Sequence, residues 1–241
     1  MFKNLQFLIG LMVILFLSPI TLHAVSLKTL SLDFKRERTE NNKTEHIAGT
    51  LHYDLKKWQV VIEVMEPLTQ IMVAKENVLE IYYPERKQAF RFISKGPVPL
   101  PLVESIIQTT QAEYGLTSLM GYTLDKHDVV DKVLYTYWKP PEKEKRTLGS
   151  VILGMRDDRL ISAEVKNPRG HLVARTLYQN HSKMGLNYIP MTVTATAYGE
   201  KSELLRHEQI VYSNPQMNVT PPNPILNFRI PESVKIQEVK W

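Results

Sequence analysis

The feature that most constrains this chain is a run of short strands between residues 49 and 92, each ended by a turn of polar residues or proline. Two of these strands, at 60–65 and 71–74, carry apolar side chains on both alternating faces. A strand with one solvated face is apolar only at every second position. We therefore expect both faces of this part of the sheet to be covered, by other segments of the protein or by an apolar ligand.

Further strands are predicted before and after this run, and no helix alternates with them. They lie near residues 30–35, 46–55, 122–126, 132–139, 149–155, 160–166, 172–179, 191–198 and 204–212. Short turns between neighbouring strands predict an antiparallel meander of roughly ten to twelve strands. A sheet of this size has to curve or close in order to protect its edges. We predict a mainly β (α+β) fold: a strongly curved antiparallel sheet with a helix across its concave side.

The predicted helical segment, residues 102–120, follows a stretch with three prolines at 94–102. Its apolar side chains lie at helical spacing, and Gly115 divides it. Two interpretations remain open from the sequence. The segment either packs as a fixed part of the core across the mouth of the sheet, or it acts as a movable lid with proline and glycine hinges.

Residues 1–24 have the pattern of a secretory signal peptide. Lys3 precedes an apolar run at 5–17, and the segment ends at the small residue Ala24. Since Pro19 interrupts the apolar stretch and a spanning helix needs about 20 apolar residues, we expect cleavage, with a retained inner-membrane anchor as the alternative. The remaining residues, 25–241, contain no linker and predict a single domain. The chain has no cysteine, which excludes disulfides and a lipidated cysteine and favours the periplasm.

No known pattern of catalytic or metal-ligating residues is found. The histidines show no compact ligand spacing, and neither a Gly-x-Ser-x-Gly motif nor a glycine-rich phosphate loop occurs. The formal net charge of +5 is spread along the chain without a basic run, so we expect no nucleic-acid partner. We predict that the protein is not an enzyme and has neither a metal nor a cofactor.

Apolar surface inside a curved sheet, lined by aliphatic, Met and aromatic side chains, suits acyl chains. Burial of an acyl chain contributes about 0.8 kcal/mol per CH₂, so such a site requires no charged anchor. Any one of these residues is also explained as ordinary core. The predicted cavity and lid residues are Val60, Ile62, Met72, Tyr82, Leu102, Ile106, Ile107, Leu119 and Met120. We expect Ile106→Asp or Met120→Asp to abolish lipid binding more than it lowers the melting temperature.

Several short motifs resemble those of the periplasmic outer-membrane lipoprotein carriers, the LolA-like family. Gly49-Thr50-Leu51 is similar to the family's Gly-x-Leu strand. Residues 79–84, followed by Gln88-Ala89, resemble its Leu-x-x-Tyr-x-Pro and Gln-Ala motifs. Residues 228–234 resemble its closing Phe-x-x-Pro-x-x-Val motif.

The resemblance implies an unclosed β-barrel with a helical lid that carries acyl chains across the periplasm. It implies a monomeric carrier or chaperone of lipoproteins, or of another lipid, with an inner-membrane donor and an outer-membrane acceptor. The alternative is an envelope sensor or assembly protein of similar fold that binds protein partners. The family's Arg-Pro pair, whose Arg helps control lid opening, is absent: residues 54–58 are Asp-Leu-Lys-Lys-Trp.

Overall fold

The computed structural model describes residues 27–95, 98, 100–109, 112–219 and 223–240. The predicted signal peptide, residues 1–24, lies outside these ranges. Fourteen strands of the described residues form one sheet. The strands are β1 (Thr29–Glu40), β2 (Lys43–Asp54), β3 (Gln59–Glu66), β4 (Gln70–Lys75), β5 (Val78–Tyr83), β6 (Gln88–Ile93), β7 (Thr123–Val130), β8 (Val133–Lys139), β9 (Val151–Arg156), β10 (Arg159–Lys166), β11 (Leu172–Met184), β12 (Asn187–Tyr198), β13 (Leu204–Met217) and β14 (Ile236–Lys240).

Among the described residues, two helices and two 3₁₀ turns accompany the sheet. The helices are α1 (Pro101–Thr109) and α2 (Leu116–Met120), and α2 is preceded by the turn Ala112–Gly115, in which Glu113 and Tyr114 have left-handed φ values of 50° and 54°. The 3₁₀ turns are Glu142–Glu144 and Pro224–Asn227. The single predicted helical segment is therefore confirmed, with its break at Gly115. This glycine has a φ of 76°, a left-handed conformation that glycine adopts without strain.

The sheet consists of two meanders joined through β1, and it does not close into a barrel. Its order is β14-β6-β5-β4-β3-β2-β1-β13-β12-β11-β10-β9-β8-β7, so β14 and β7 are its edges. The prediction of a single meander is thus wrong in one respect, because β6 and β7 follow each other in sequence but are not neighbours in the sheet. The helical segment between them connects β6, next to one edge of the sheet, with β7 at the opposite edge. The mainly β, unclosed and largely antiparallel fold is confirmed.

Strand β14 was not predicted, and it pairs parallel to β6, with Ile236 opposite Ala89. Its apolar residues Ile236 and Val239 are three positions apart, so they lack the period of two that indicates a strand. Backbone hydrogen bonds to β6 therefore hold this strand in the sheet, and an apolar face of β14 does not.

The inner face of the sheet, defined here as the face covered by the helices, holds the main core. Alternation along β1 places Leu30, Leu32 and Phe34 there, each at most 2% exposed. The register carries this face across the sheet to Leu51 of β2 and Ile62 of β3. These residues form one continuous apolar cluster with Ile106 of α1.

The outer face of β3–β6 is covered by the C-terminal segment that contains the turn Pro224–Asn227. Val61 and Ala89 are fully buried on this face. The Gln59 Nε2 group donates a hydrogen bond to the Leu226 carbonyl at 2.8 Å, and the Phe228 ring stacks on Tyr82 with centroids 6.0 Å apart. Protein segments thus cover both faces of the two-sided apolar strands.

Gly49 permits a close approach of two backbones between β2 and β3. The register of this strand pair shifts between Ala48 and Gly49, as in a β-bulge. A Cβ atom at Gly49 would lie 2.0 Å from the Glu63 carbonyl oxygen. Phe34 lies directly opposite Gly49 on β1 and is buried over this side-chain-free position. A glycine is therefore required here by sterics.

Candidate functional site

Helix α1 is fixed to the inner face of the sheet at its first turn. The Tyr212 hydroxyl of β13 donates a hydrogen bond to the Leu102 carbonyl at 2.6 Å. One turn later, Ile106 is fully buried in the core cluster. Burial disfavours the phenolate and raises the pKa of Tyr212 far above its usual range. The Tyr212 hydroxyl therefore stays protonated and keeps its hydrogen bond to the helix.

Helix α2 ends in a left-handed glycine cap. Gly121 has a φ of 66°, its N–H donates to the Thr117 carbonyl, and the next N–H, of Tyr122, donates to the Leu116 carbonyl. This is the hydrogen-bond pattern of a Schellman motif. The buried Tyr122 side chain then reaches the Gly149 carbonyl at 3.1 Å. The two ends of the helical segment are thus attached to the sheet at separate places.

A cavity of about 340 Å³ lies between the helical segment and the inner face of β9–β13. Its wall on the sheet combines small side chains, among them Ala163, Thr176 and Ala195, with larger ones, among them Leu153, Leu160 and Tyr178. Tyr114, Leu116 and Met120 line it from the helical side. The small side chains contribute to the open space.

Met120 is the predicted site residue that the structure places in the cavity wall, and its side chain is 44% exposed. Val60 and Ile62 are buried on the inner face, and Met72 packs against them. They belong to β3 and β4 and are not among the described lining residues of this cavity. For these three, the ordinary core role explains their position.

Tyr82 lies on the opposite face of the sheet from Ile62 and Met72. Tyr82 pairs with Ile71 of β4, whereas Met72 pairs with Ile81, so alternation sends Tyr82 to the outer face. It stacks there on Phe228. Leu102 and Ile106 pack in the core under α1. The side chains of Ile107 and Leu119 are outside the part of the chain that the structure describes.

The sequence-based prediction did not include the residues of β9–β13 that line the cavity. The sequence does contain a signal: Met191, Val193, Ala195 and Ala197 share one face of β12 and become smaller towards its end. A second signal is that Arg206 and Glu208 interrupt the inner face of β13, which continues with Ile210. Charged residues in register with alanines are unusual for a closed core.

The polar end of the cavity contains an ion pair between β1 and β13. Arg36 Nε lies 3.0 Å from Glu208 Oε1, and Arg36 Nη2 lies 3.2 Å from Glu208 Oε2. Arg206 also lines the cavity, two residues from Glu208 and on the same face. No described group forms an ion pair or hydrogen bond with its guanidinium.

Lys57 lies between β2 and β3 and contacts Asp54 at the end of β2. Its backbone N–H donates to Asp54 Oδ1 at 3.0 Å, and its ammonium group lies 3.5 Å from Asp54 Oδ2. The Lys57 side chain is 52% exposed in the turn between β2 and β3. This lysine stabilises its own turn.

A second, polar pocket of about 400 Å³ lies on the outer face around His52. The buried imidazole contacts Ser31 Oγ through Nδ1 at 2.9 Å and Glu63 Oε2 through Nε2 at 3.1 Å. Because an ionised carboxylate only accepts, Nε2 carries the proton and donates to Glu63, while Nδ1 accepts from Ser31. Burial lowers the pKa of His52. These groups satisfy one another, so the cluster joins three strands.

Within the described ranges, no group of three His, Asp or Glu side chains is arranged to hold a metal ion. Among the helices that the structure describes, none has the length and apolar character needed to cross a bilayer.

No family model matches the chain, and no curated protein matches its sequence. Solved structures of similar architecture do exist. A LolA superfamily protein from Nitrosomonas europaea has a TM-score of 0.52 at 13% identity, covering 82% of this chain and 89% of that one. A DUF1329 family protein from Desulfovibrio piger has a TM-score of 0.54 at 11% identity, with coverages of 84% and 91%.

A third similar structure is a putative outer membrane lipoprotein-sorting protein domain from Vibrio parahaemolyticus. Its TM-score is 0.53 at 9% identity, and the match covers 83% of this chain and 89% of that one. The similarity extends over most of every chain compared, although few residues are shared. The fold of this protein is therefore LolA-like, as its sequence motifs indicate.

Proposed function

We propose that this protein is a periplasmic carrier that holds the acyl chain of a lipoprotein, or of another lipid, in the cavity under its helical segment. The observation that carries the proposal is the cavity itself. It is lined mainly by aliphatic and aromatic side chains, lies between a sheet and a helical cover, and joins a polar end at Glu208.

The size of the cavity supports a lipid ligand. Small-molecule sites usually have about 300–1,000 Å³, and this cavity has about 340 Å³. Each CH₂ group transferred from water into it contributes about 0.8 kcal/mol. A chain of ten carbons therefore gains roughly 8 kcal/mol before the losses of motional freedom on binding. Binding, rather than catalysis, is the activity that such a wall supports.

The location and the role in transport rest on two further observations. The first 24 residues have the pattern of a signal peptide, and one protein of similar fold is described as a lipoprotein-sorting domain. We propose that this chain delivers its ligand towards the outer membrane.

The test is to fill the cavity without disturbing the sheet. Ala195→Leu adds apolar volume inside the cavity, and Thr194→Leu adds similar volume at the adjacent position on the outer face. Each protein would be purified from the periplasm and examined by native mass spectrometry for retained lipid. We expect lipid on the wild-type chain and on Thr194→Leu, and at least tenfold less on Ala195→Leu. A wild-type protein that repeatedly carries no lipid, and binds none added in vitro, would exclude the proposal.

A second candidate function, binding of a protein partner, is favoured by edge strand β7. All eight of its residues are exposed, among them Leu124 at 52% and Val129 at 64%. An open edge of this kind can accept a strand from another protein. A photo-cross-linking residue at position 129 would then give one discrete adduct in cells, whereas the same group at position 201, in an exposed turn, would not.

A further inference from the structure

The wall of the cavity contains a cationic side chain that the binding of a purely apolar acyl chain does not require. We propose that its ligand is a single-chain amphiphile with an anionic head group, a carboxylate or a phosphate, and that Arg206 binds this head group. The inference rests on the proposed function and specifies its ligand. It predicts that the chain portion lies against the small side chains of β10–β12.

Arg206 is the lining residue that remains available for an anion. Its side chain is half-buried in the cavity wall, and no described carboxylate lies within ion-pair distance of it. Both oxygens of neighbouring Glu208 accept from Arg36. Glu40, which lies opposite Arg206 on β1, is bound by Arg38. The two nearest acidic positions in the sheet are thus neutralised by other arginines.

The chemistry of arginine suits a carboxylate or phosphate head group. Its planar guanidinium donates two parallel hydrogen bonds to such groups, and these bonds are stronger where water is partly excluded. An unpaired guanidinium in a half-buried wall lacks this compensation in the empty protein. An incoming anion supplies it, while a neutral or cationic head group does not.

The helical side of the cavity adds further polar groups. The Ser105 side chain on α1 is 8% exposed and lines the cavity. Its hydroxyl lies beside the Tyr212 phenol. Together with Gln108, which also lines the cavity, Ser105 offers donors to a polar part of a ligand.

The volume of the cavity limits the number of chains. About 340 Å³ is close to the lower end of the range for sites that hold one drug-sized molecule. Two or three acyl chains packed side by side need more room than this wall provides. The proposal therefore favours one chain per protein, in contrast to a diacyl phospholipid or a triacylated lipoprotein anchor.

The experiment compares ligands with identical chains and different head groups. Dodecanoate, dodecyl phosphate, dodecanol and dodecyltrimethylammonium would be titrated into delipidated protein by calorimetry. We expect the two anions to bind at least about tenfold more tightly than dodecanol, a difference of about 1.4 kcal/mol. Arg206→Gln should remove this preference and leave the affinity for dodecanol unchanged. Arg206→Lys should restore part of it.

The matched control is Arg169→Gln, which removes the same charge from an exposed turn, where Arg169 is 72% exposed. It should keep the full preference, and melting temperatures would confirm that each variant folds. Equal affinity of the wild-type protein for dodecanoate and dodecanol would overturn the inference while leaving the proposed function intact. Binding of a triacylated lipopeptide alone would do the same. Binding of none of these ligands would overturn both.

Discussion

Arg36 and Glu208 are 172 residues apart in sequence and form a two-pronged ion pair across β1 and β13, with N–O distances of 3.0 and 3.2 Å. Their side chains are 11% and 8% exposed. The pair lies where the two meanders meet, because β1 is the strand of the N-terminal meander that borders β13. Because Glu208 is bound by Arg36 in this pair, its carboxylate does not neutralise Arg206. The pair therefore contributes both to the assembly of the sheet and to the charge of the cavity.

Removal of one member of this pair should be more harmful than removal of both. Arg36→Met leaves a buried carboxylate without its partner, which typically costs about 3–5 kcal/mol. The double variant Arg36→Met/Glu208→Met leaves no unpaired charge, so we expect it to recover most of that loss. Urea unfolding of the two variants and the wild type measures the difference.

The matched control for this prediction is Arg175→Met. Arg175 pairs with Glu164 across β10 and β11 at 2.8 Å, but its side chain is 46% exposed. Exposed pairs contribute at most about 1 kcal/mol. A loss at Arg36 no greater than that at Arg175 would show that burial does not strengthen the pair.

The general architecture was predictable from the sequence because strands and turns are encoded locally. Alternation along β1 and β12, and the turns between strands, give the strand positions and the antiparallel hairpins. The pairing of β1 with β13 and of β14 with β6 joins residues far apart in sequence. No local pattern specifies these strand pairs, and they determine which strands form the open edges of the sheet.

The cavity lies at β9–β13, whereas the strand residues predicted for the site lie in β3, β4 and β5. Apolar strands such as β3 attract attention because they are rich in large side chains, yet large side chains fill space. The cavity lies instead where Ala163 and Ala195 leave space, and its volume depends on what packs opposite. The sequence left the face of Tyr82 open, because a strand with two apolar faces carries no alternation that distinguishes inside from outside.

Gly49 should not tolerate a methyl group. In Gly49→Ala the new Cβ would meet the Glu63 carbonyl oxygen at 2.0 Å, and a backbone atom in a sheet cannot move aside easily. We expect a loss of roughly 3 kcal/mol in the free energy of unfolding, the upper part of the range for overpacking. Chemical denaturation checks this value.

Gly170→Ala separates the clash from the effect of backbone conformation. A Cβ at Gly170 meets no atom within 4 Å, although its φ of 85° disfavours alanine. The expected loss is about 1–2 kcal/mol, from the left-handed conformation alone. A smaller loss at Gly49 than at Gly170 would contradict the steric account.

Acidification should weaken the fold through His52. Burial lowers its pKa below the usual value of about 6.5, so the unfolded chain takes up a proton at a higher pH than the folded chain does. The contribution of neutral His52 is complete above about pH 6.5 and is lost as the pH falls from there to the folded pKa.

The measurement is the free energy of unfolding between pH 7.5 and 5 for the wild type and His52→Gln. We expect a flatter profile for the variant across this window. His181 also has a lowered pKa, because it is buried, and contributes in the same direction. The variant His181→Gln therefore measures how much of the pH dependence comes from this second histidine. If the free energy of unfolding of His52→Gln depended on pH as steeply as that of the wild type, groups other than His52 would cause the pH dependence.

The structure separates two substitutions that the sequence treats as equivalent, Ile106→Asp and Met120→Asp. Ile106 is fully buried in the core cluster, whereas Met120 is 44% exposed at the cavity wall. A carboxylate at position 106 would be buried without a partner and should prevent stable folding. A carboxylate at position 120 reaches water, so we expect a change in melting temperature of no more than a few degrees, with dodecanoate affinity reduced at least about tenfold.

Met120→Leu, which keeps an apolar side chain of similar volume, should bind as the wild type does. If Met120→Asp bound dodecanoate normally, the helical side would not form part of the lipid site.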